Sequence, residues 1–297
     1  MPSGSKPAQA CPCCAGGLGS WALKSGYQLL RCVGCGSVAT SPEQVRDSTT
    51  DSYAAYHQHS AFATPPEVIV KALEAVVVSA TSYHHSGRWL DFGFGEGALL
   101  SVAERHGWAC YGVEASPHAL ENGRRHGWKV TARPAEDAAF EPASFDVVTL
   151  IEVVEHLRDP IATLQQAVSW LRPAGLLYLT TPNAASLTRR LLGSSWSIFC
   201  PPEHWLIWSP LGMRRALGRV GLRRVRIRTT GFNPAEILSR IRRPVRTVPI
   251  HRQAAATRLN ETLSRSRLRR AVKAGANHLL SGLRLGDTLK VWTERPE

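Results

Sequence analysis

No stretch of this chain approaches the roughly 18–20 consecutive apolar residues that a membrane-spanning helix needs; its most apolar segment, "AGLLYLTTP", has the length of a strand. The N-terminal "MPSGSKPAQACPCC" lacks the apolar core of a secretory leader. The seven cysteines are odd in number and bunched toward the N-terminus, which argues against a disulfide framework and for a reducing compartment. These absences predict a cytoplasmic protein. No internal repeat is present. Acids are scarce toward the C-terminus: between Arg219 and Lys290 there are 18 Lys or Arg against three acids (Glu236, Glu261 and Asp287), a local charge of +15 that leaves −2 for the rest of a chain carrying +13. That region also lacks the interleaved aromatics that stack on bases, which counts against nucleic acid as its partner. It suits either an anionic membrane surface, with Leu259 and Leu263 or Leu268 and Val272 facing lipid, or a solvated arginine-rich helical face.

What is present is the material for one large domain with an appendage, or for two modest ones: 297 residues with an ordinary apolar content of 43%. From residue 87 onward strand-like and helix-like segments alternate. "RWLDFG", "ACYGVEA", "KVTA", "FDVVTLI" and "LLYLTTP" read as strands. Between them "GALLSVAERHG", "SPHALENGRRHG" and "DPIATLQQAVSWLRPAG" read as helices, the last with Ile161, Leu164, Val168 and Leu171 on one face, an Asp-Pro start, and a stop before Pro173. An earlier helix in "PPEVIVKALEAVVVSA" places Ile69, Leu73 and Val76 together. "SPLGMRRALGRVG" forms a further helix, and "LRRVRIRTT" and "TLKVWTE" two further strands. Such alternation means a parallel sheet covered on both faces.

The stretch "WLDFGFGEGALL" carries the first chemistry. Glycines at 93, 95 and 97 sit between a strand and a helix, where close backbone approach and the free N–H groups of the helix start suit an anionic ligand. Gly93, Gly95 and Ala98 also match G-x-G-x-x-G/A, so the loop alone admits a nicotinamide, a flavin or an S-adenosyl cofactor. Asp91 narrows the choice. A carboxylate aimed into the loop would repel a pyrophosphate but can accept from the ammonium group of a methionyl moiety. Glu114, ending the next strand, can grip both hydroxyls of a ribose in either kind of enzyme.

These segments, followed in order by "PAEDAAFEPASFDVVTLIEVVEHLRDP", "LRPAGLLYLTTPN" and "PPEHWLIWSPLGMRRALGRVGL", resemble the class I S-adenosylmethionine-dependent methyltransferases over roughly Tyr53 to Gly231. The resemblance implies a doubly wound α/β fold with a mostly parallel seven-stranded sheet, whose antiparallel seventh strand is the last. It implies that Asp91, Gly93, Gly95 and Gly97 frame the methionyl end of S-adenosylmethionine and that Glu114 holds the ribose. Ala135 and Glu136 would flank the adenine, and Ile151 and Glu152 would close the pocket beside the sulfonium. The chain departs from the pattern at Pro134, where many relatives carry an acid; Glu136 or Asp137 would substitute.

Cys11-x2-Cys14 and Cys32-x2-Cys35 are separated by 17 residues, a spacing that lets the thiolates of a hairpin reach one tetrahedral ion. With four thiolates the centre is closed, so zinc there would be structural; Cys13 competes with Cys14 for the first pair. "LLRCVGCGSVATSP" ahead of such a core resembles a bacterial subgroup with an N-terminal zinc-ribbon-like module, mostly linked to small-molecule, sugar or surface-glycan biosynthesis. The expected layout is a zinc-knuckle module over 1–45, a linker and helical cap over 46–86, and the cofactor-binding core over 87–232. A basic helical insertion over 233–286 and the final strand over 287–297 complete it.

Methyl transfer from a sulfonium is an in-line displacement, and an oxygen acceptor gains from a base. His156, after the fourth strand, and His204, in the "PPEHWLIW" loop, are the candidate catalytic bases; both also suit a structural role. Glu152, Glu155 and His156 resemble the E-x-x-E-H stretch of ubiquinone-pathway O-methyltransferases, where a divalent ion is associated with these residues. Trp196, Phe199, Trp205, Ile207 and Trp208 form either an apolar lid over the acceptor or ordinary core. The function expected is methylation of oxygen on a small molecule or a sugar or glycan intermediate. The alternatives are an RNA methyltransferase and a non-catalytic cofactor-binding module.

Overall fold

The computed structural model describes residues 10–46, 65–132, 140–234, 236–238, 275 and 278–297. The chain folds as two compact units, both discontinuous in sequence. One gathers Met1–Asp47, Thr181–Met213 and Ile227–Lys290; the other gathers Ser48–Thr180, Arg214–Arg226 and Val291–Glu297.

The first unit is built on a cysteine-bearing hairpin. Strands β1 (Leu18–Lys24) and β2 (Tyr27–Cys32) pair antiparallel around Ser25 and Gly26, whose φ values of +50° and +85° are those of a tight hairpin turn. Strand β3 (Val38–Thr40) follows, then the short helix α1 (Pro42–Arg46). A fourth strand arrives from far along the chain: β9 (Leu206–Ile207) pairs antiparallel with β3, Val38 opposite Ile207, giving the order β1-β2-β3-β9. Trp196, Phe199 and Ile207 pack with Leu29, Val38 and Ala184 as this unit's core, and Trp208 is fully buried too, so four of the five residues weighed as a lid are buried core.

The second unit carries the α/β layers. Helix α2 (Glu67–Thr81) precedes β4 (Arg88–Phe92), α3 (Ala98–Arg105), β5 (Ala109–Val113), α4 (Pro117–Arg125), β6 (Lys129–Thr131), β7 (Phe145–Ile151) and α5 (Pro160–Trp170). Strands β4 to β7 and β8 (Leu171–Pro182) are mutually parallel. The seven-stranded sheet runs β10-β11-β8-β7-β4-β5-β6, with β10 (Arg226–Thr230) and β11 (Thr288–Glu294) at one edge. Helix α6 (Leu187–Leu192) belongs to the first unit, and α7 (Pro210–Arg219) begins in the first and ends in the second. The doubly wound, mostly parallel α/β sheet expected from the sequence is therefore present.

Central strands read as unbroken apolar runs because both faces are covered; six of the seven residues of β7 are buried. The helices begin where capping chemistry predicts. Ser116 accepts from the Ala119 N–H with Pro117 as first residue, and Asp159 accepts from the Ala162 N–H at 3.0 Å with Pro160 in the same place. Helix α2 packs Val70, Leu73, Val76, Val77 and Ala80 on the core, so its seam runs through Val70 rather than Ile69. Helix α5 ends at Trp170, and Leu171 already pairs with Phe145 as the first residue of β8. Residues 172–175 bulge out before Leu176 resumes the register opposite Val147, so Leu171, expected on the face of the helix, opens the strand instead. Trp89, fully buried, meets Trp108 edge-on at 5.2 Å in the centre of this core. Among the described residues no helix is long and apolar enough to cross a membrane.

Candidate active site

The glycine loop leaves the carboxyl end of β4, where open parallel sheets bind their ligands. Its three glycines all have positive φ, but for different reasons. A Cβ at Gly93 (φ +74°) would lie 2.6 Å from a methyl of Val153, and one at Gly97 (φ +80°) 2.3 Å from the ring of Trp128. Those two positions are filled by the protein. A Cβ at Gly95 (φ +51°) would meet nothing within 4 Å among the described residues, so among them the loop's open side is at its middle glycine. Phe94 anchors the loop from beneath. Its ring occupies the space that side chains at Gly112 and Gly123 would need, at 2.4 Å and 3.2 Å from their built Cβ positions. Helix α3 then starts at Gly97 with no side-chain cap, so the loop's backbone supplies its first turn.

Asp91 lies buried under this loop. Its Oδ1 accepts from the Thr149 hydroxyl at 2.6 Å, and the Trp89 indole N–H donates to the same hydroxyl at 3.1 Å. Burial pushes the Asp91 carboxyl up to about 7; the Thr149 hydrogen bond opposes the rise and the like charge of Glu114 adds to it. The Glu114 carboxylate is pinned by three backbone donors: Gly95 at 2.9 Å, Ala115 at 2.6 Å and Ser116 at 3.1 Å. It therefore touches the loop at the glycine whose outer side is open. A carboxylate takes up to about four hydrogen bonds, so hydroxyl donors would add to these contacts or replace them.

At the end of β7, Ile151 packs against the core while Glu152 is exposed, its N–H donating to the Thr180 carbonyl at 3.0 Å. Glu152 has φ +54°, a left-handed conformation uncommon for a side-chain-bearing residue and concentrated at functional sites. His156 follows in the turn closed by its N–H on the Val153 carbonyl at 2.9 Å, and Glu155 beside it is buried. His204 belongs to the first unit. Its Nδ1 lies 2.7 Å from the Ile198 carbonyl, which can only accept, so the ring proton sits on Nδ1 and Nε2 is the basic nitrogen. Ala135 and Glu136, with Pro134 and Asp137, lie outside the described residues, as do Tyr53 and the Leu259, Leu263, Leu268 and Val272 of the basic region.

The sulfurs of Cys11, Cys14, Cys32 and Cys35 all lie within 4.8 Å of one another in the first unit. Cys11 and Cys35 are 3.7 Å apart and Cys14 and Cys32 3.6 Å, far from disulfide contact. Left-handed residues close both knuckles, Ala15 (φ +59°) and Gly36 (φ +78°). Cys13 is buried outside this set, its sulfur 3.5 Å from the Ser37 hydroxyl. Hydrogen bonding with Cys11, Cys13 and Ser37 outweighs burial and holds the Cys35 thiol well below its ordinary value, which favours a thiolate in the cluster.

Sequence reading missed Thr149 and Trp89 as companions of Asp91. The sequence offered only half of the signal, Thr149 as the single hydroxyl inside the apolar run "VVTLI"; its register with Asp91 is visible only in the folded sheet.

An acid-and-glycine loop over a second acid, at the carboxyl ends of parallel strands, is an arrangement that could hold a nucleoside-type ligand. Residues 58–227 match the methyltransferase-domain family, and the chain belongs to that family. The ubiquinone biosynthesis O-methyltransferase of Parvibaculum lavamentivorans is 32% identical over 167 residues, which are 50% of this chain and 63% of that protein. Its counterpart in Idiomarina loihiensis is 35% identical over 131 residues, 41% of this chain and 51% of that protein. The chain thus spans about half to two thirds of the length of these curated relatives. A solved S-adenosylmethionine-dependent methyltransferase from Archaeoglobus fulgidus shares the fold with a TM-score of 0.50, at 17% identity, over 76% of this chain and 94% of that one.

Proposed function

We propose that this protein transfers a methyl group from S-adenosylmethionine to an oxygen of a small molecule or a sugar or glycan intermediate in a biosynthetic pathway. The observation that carries the reading is the conjunction of buried Asp91, open Gly95 and loop-bound Glu114 in one unit. The site fits the cofactor: a buried carboxyl suits an ammonium group, a glycine with clear space suits close backbone approach, and a pinned carboxylate suits a ribose diol. When bound, S-adenosylmethionine supplies a methyl group activated by a sulfonium. The chain's own residues would then orient it: Asp91 and the Gly93–Gly97 loop at the methionyl end, Glu114 at the ribose, Ala135 and Glu136 at the adenine, Ile151 and Glu152 beside the sulfonium. The names of the curated relatives support oxygen as acceptor. His156 or His204 would take the hydroxyl proton, His204 through Nε2.

Structural zinc in the cysteine cluster belongs to the same proposal. A tetrahedral ion with Zn–S bonds of about 2.3 Å holds its sulfurs roughly 3.8 Å apart, close to the 3.7 and 3.6 Å separations here. An anionic membrane surface at the basic region is the further partner proposed, resting on its charge of +15.

Isothermal titration with S-adenosylmethionine, S-adenosylhomocysteine and NAD tests the assignment. Micromolar-range binding of the adenosyl ligands, lost in Asp91→Ala and Glu114→Ala, is the expected result. Binding of NAD alone would overturn it.

A further inference from the structure

We infer that Thr149, oriented by Trp89, is a positioning residue that favours the charged form of the Asp91 carboxyl and turns it toward the ammonium group it receives. The inference rests on the reading of Asp91 given above and adds a role for two residues beyond it.

The three side chains share one face of the sheet. Asp91 on β4 is the register partner of Thr149 on β7, and Trp89 precedes Asp91 by two residues. Trp89 and Thr149 are both fully buried. An indole N–H only donates, so the Trp89 contact at 3.1 Å occupies a lone pair of the Thr149 oxygen and turns the single hydroxyl proton toward an acceptor. Two acceptors are within reach, the Leu90 carbonyl at 3.3 Å and Asp91 Oδ1 at 2.6 Å. The second distance lies in the range of charge-assisted O–H···O⁻ bonds, about 2.5–2.7 Å. Edge-on packing of Trp89 against Trp108 holds the indole in place.

The electrostatic setting explains why such a donor is needed. Burial is the dominant influence on Asp91 and favours its neutral form, and Glu114, beyond the end of β5, adds like-charge repulsion. The Cys110 thiol of β5 is pushed up to about 12 by burial, Glu104 and Asp91, and so stays neutral. Thr149 supplies the opposing influence on the carboxyl. Without it, the Asp91 carboxyl would be pushed up further, and a smaller fraction of it would carry charge at neutral pH.

The test follows the Asp91 carboxyl by 13C NMR, with the signal assigned by its loss in Asp91→Asn. Native protein is compared with Thr149→Val, Thr149→Ser and Trp89→Phe, and S-adenosylhomocysteine binding is titrated in parallel between about pH 6 and pH 9. Thr149→Val removes one hydrogen bond to a charged group, so the Asp91 midpoint rises by about one to two pH units. Affinity falls on the order of tenfold at pH 7, with the loss shrinking toward pH 9. Thr149→Ser stays near native, and Trp89→Phe moves the midpoint the same way by less. Should Thr149→Val fail to fold, the Trp89→Phe and Thr149→Ser pair decides. An unmoved midpoint, or an affinity loss equal at every pH, overturns the inference. Native protein that binds no adenosyl ligand at any pH overturns the cofactor reading instead, a result separable because the carboxyl titration is read on the free protein.

Discussion

Alanine at Gly97 and alanine at Gly95 make the same chemical change two residues apart and should have opposite consequences. At Gly97 the new methyl carbon meets the Trp128 ring at 2.3 Å. That ring cannot swing aside: it is buried, stacked on His126 at 4.5 Å and set edge-on to Phe94 at 6.4 Å. Left-handed strain of about 1–2 kcal/mol and overpacking of about 1–3 kcal/mol add to a destabilisation of about 2–5 kcal/mol. For a unit of this size that lowers the melting temperature by about 5–15 °C. At Gly95 only the strain applies, about 1–2 kcal/mol, because the methyl projects into open space. That open space is the proposed ligand side, so Gly95→Ala should weaken S-adenosylhomocysteine by roughly tenfold or more, the equivalent of about 1.4 kcal/mol. Differential scanning calorimetry and isothermal titration on the two variants measure both quantities. Equal destabilisation by the two alanines, or native-like melting with alanine at 97, would refute the division of labour among the glycines.

Further outcomes follow from the same geometry. Because burial lifts Asp91 from 3.8 to about 7 in the folded chain, the native state holds one more proton than the unfolded state between about pH 4 and pH 7. Stability therefore falls as pH rises through that window, and Asp91→Asn should raise urea resistance by a few kcal/mol at about pH 8 and by little near pH 4. A strong chelator should remove about one zinc per chain and unfold the first unit's hairpin. By atomic spectroscopy, Cys14→Ala should lower the metal content while Cys13→Ser leaves it intact; the reverse pattern would place Cys13 in the cluster.

Much of the second unit was legible because its signals are local. The caps Ser116 and Asp159 with their following prolines mark helix starts, and "FDVVTLI" announces a strand buried on both faces. The acid-glycine loop and Glu114 could be picked out because their spacing is short and their chemistry distinctive. What escaped depends on register across strands. The pairing of Asp91 with Thr149 joins residues 58 apart in sequence, and nothing in either segment alone names the other. The bulge in β8 escaped because a Pro-Ala-Gly string looks like a turn until Leu171 finds Phe145 beside it. The two-residue strand β9 is too short to show periodicity and becomes a strand only against β3.

That last pairing bears on how the protein is made. The fourth strand of the cysteine hairpin's sheet and the aromatic half of its core, Trp196 and Phe199, are encoded some 160 residues after the hairpin itself. At about 5–20 residues per second, the delay is on the order of 10–30 s. Through that interval the edge of β3 is exposed and Leu29 and Val38 lack their partners. Four thiolates gathered on one ion would give the nascent hairpin a way to hold its shape until β9 arrives, so metal supply during synthesis would bear on the yield of folded chain.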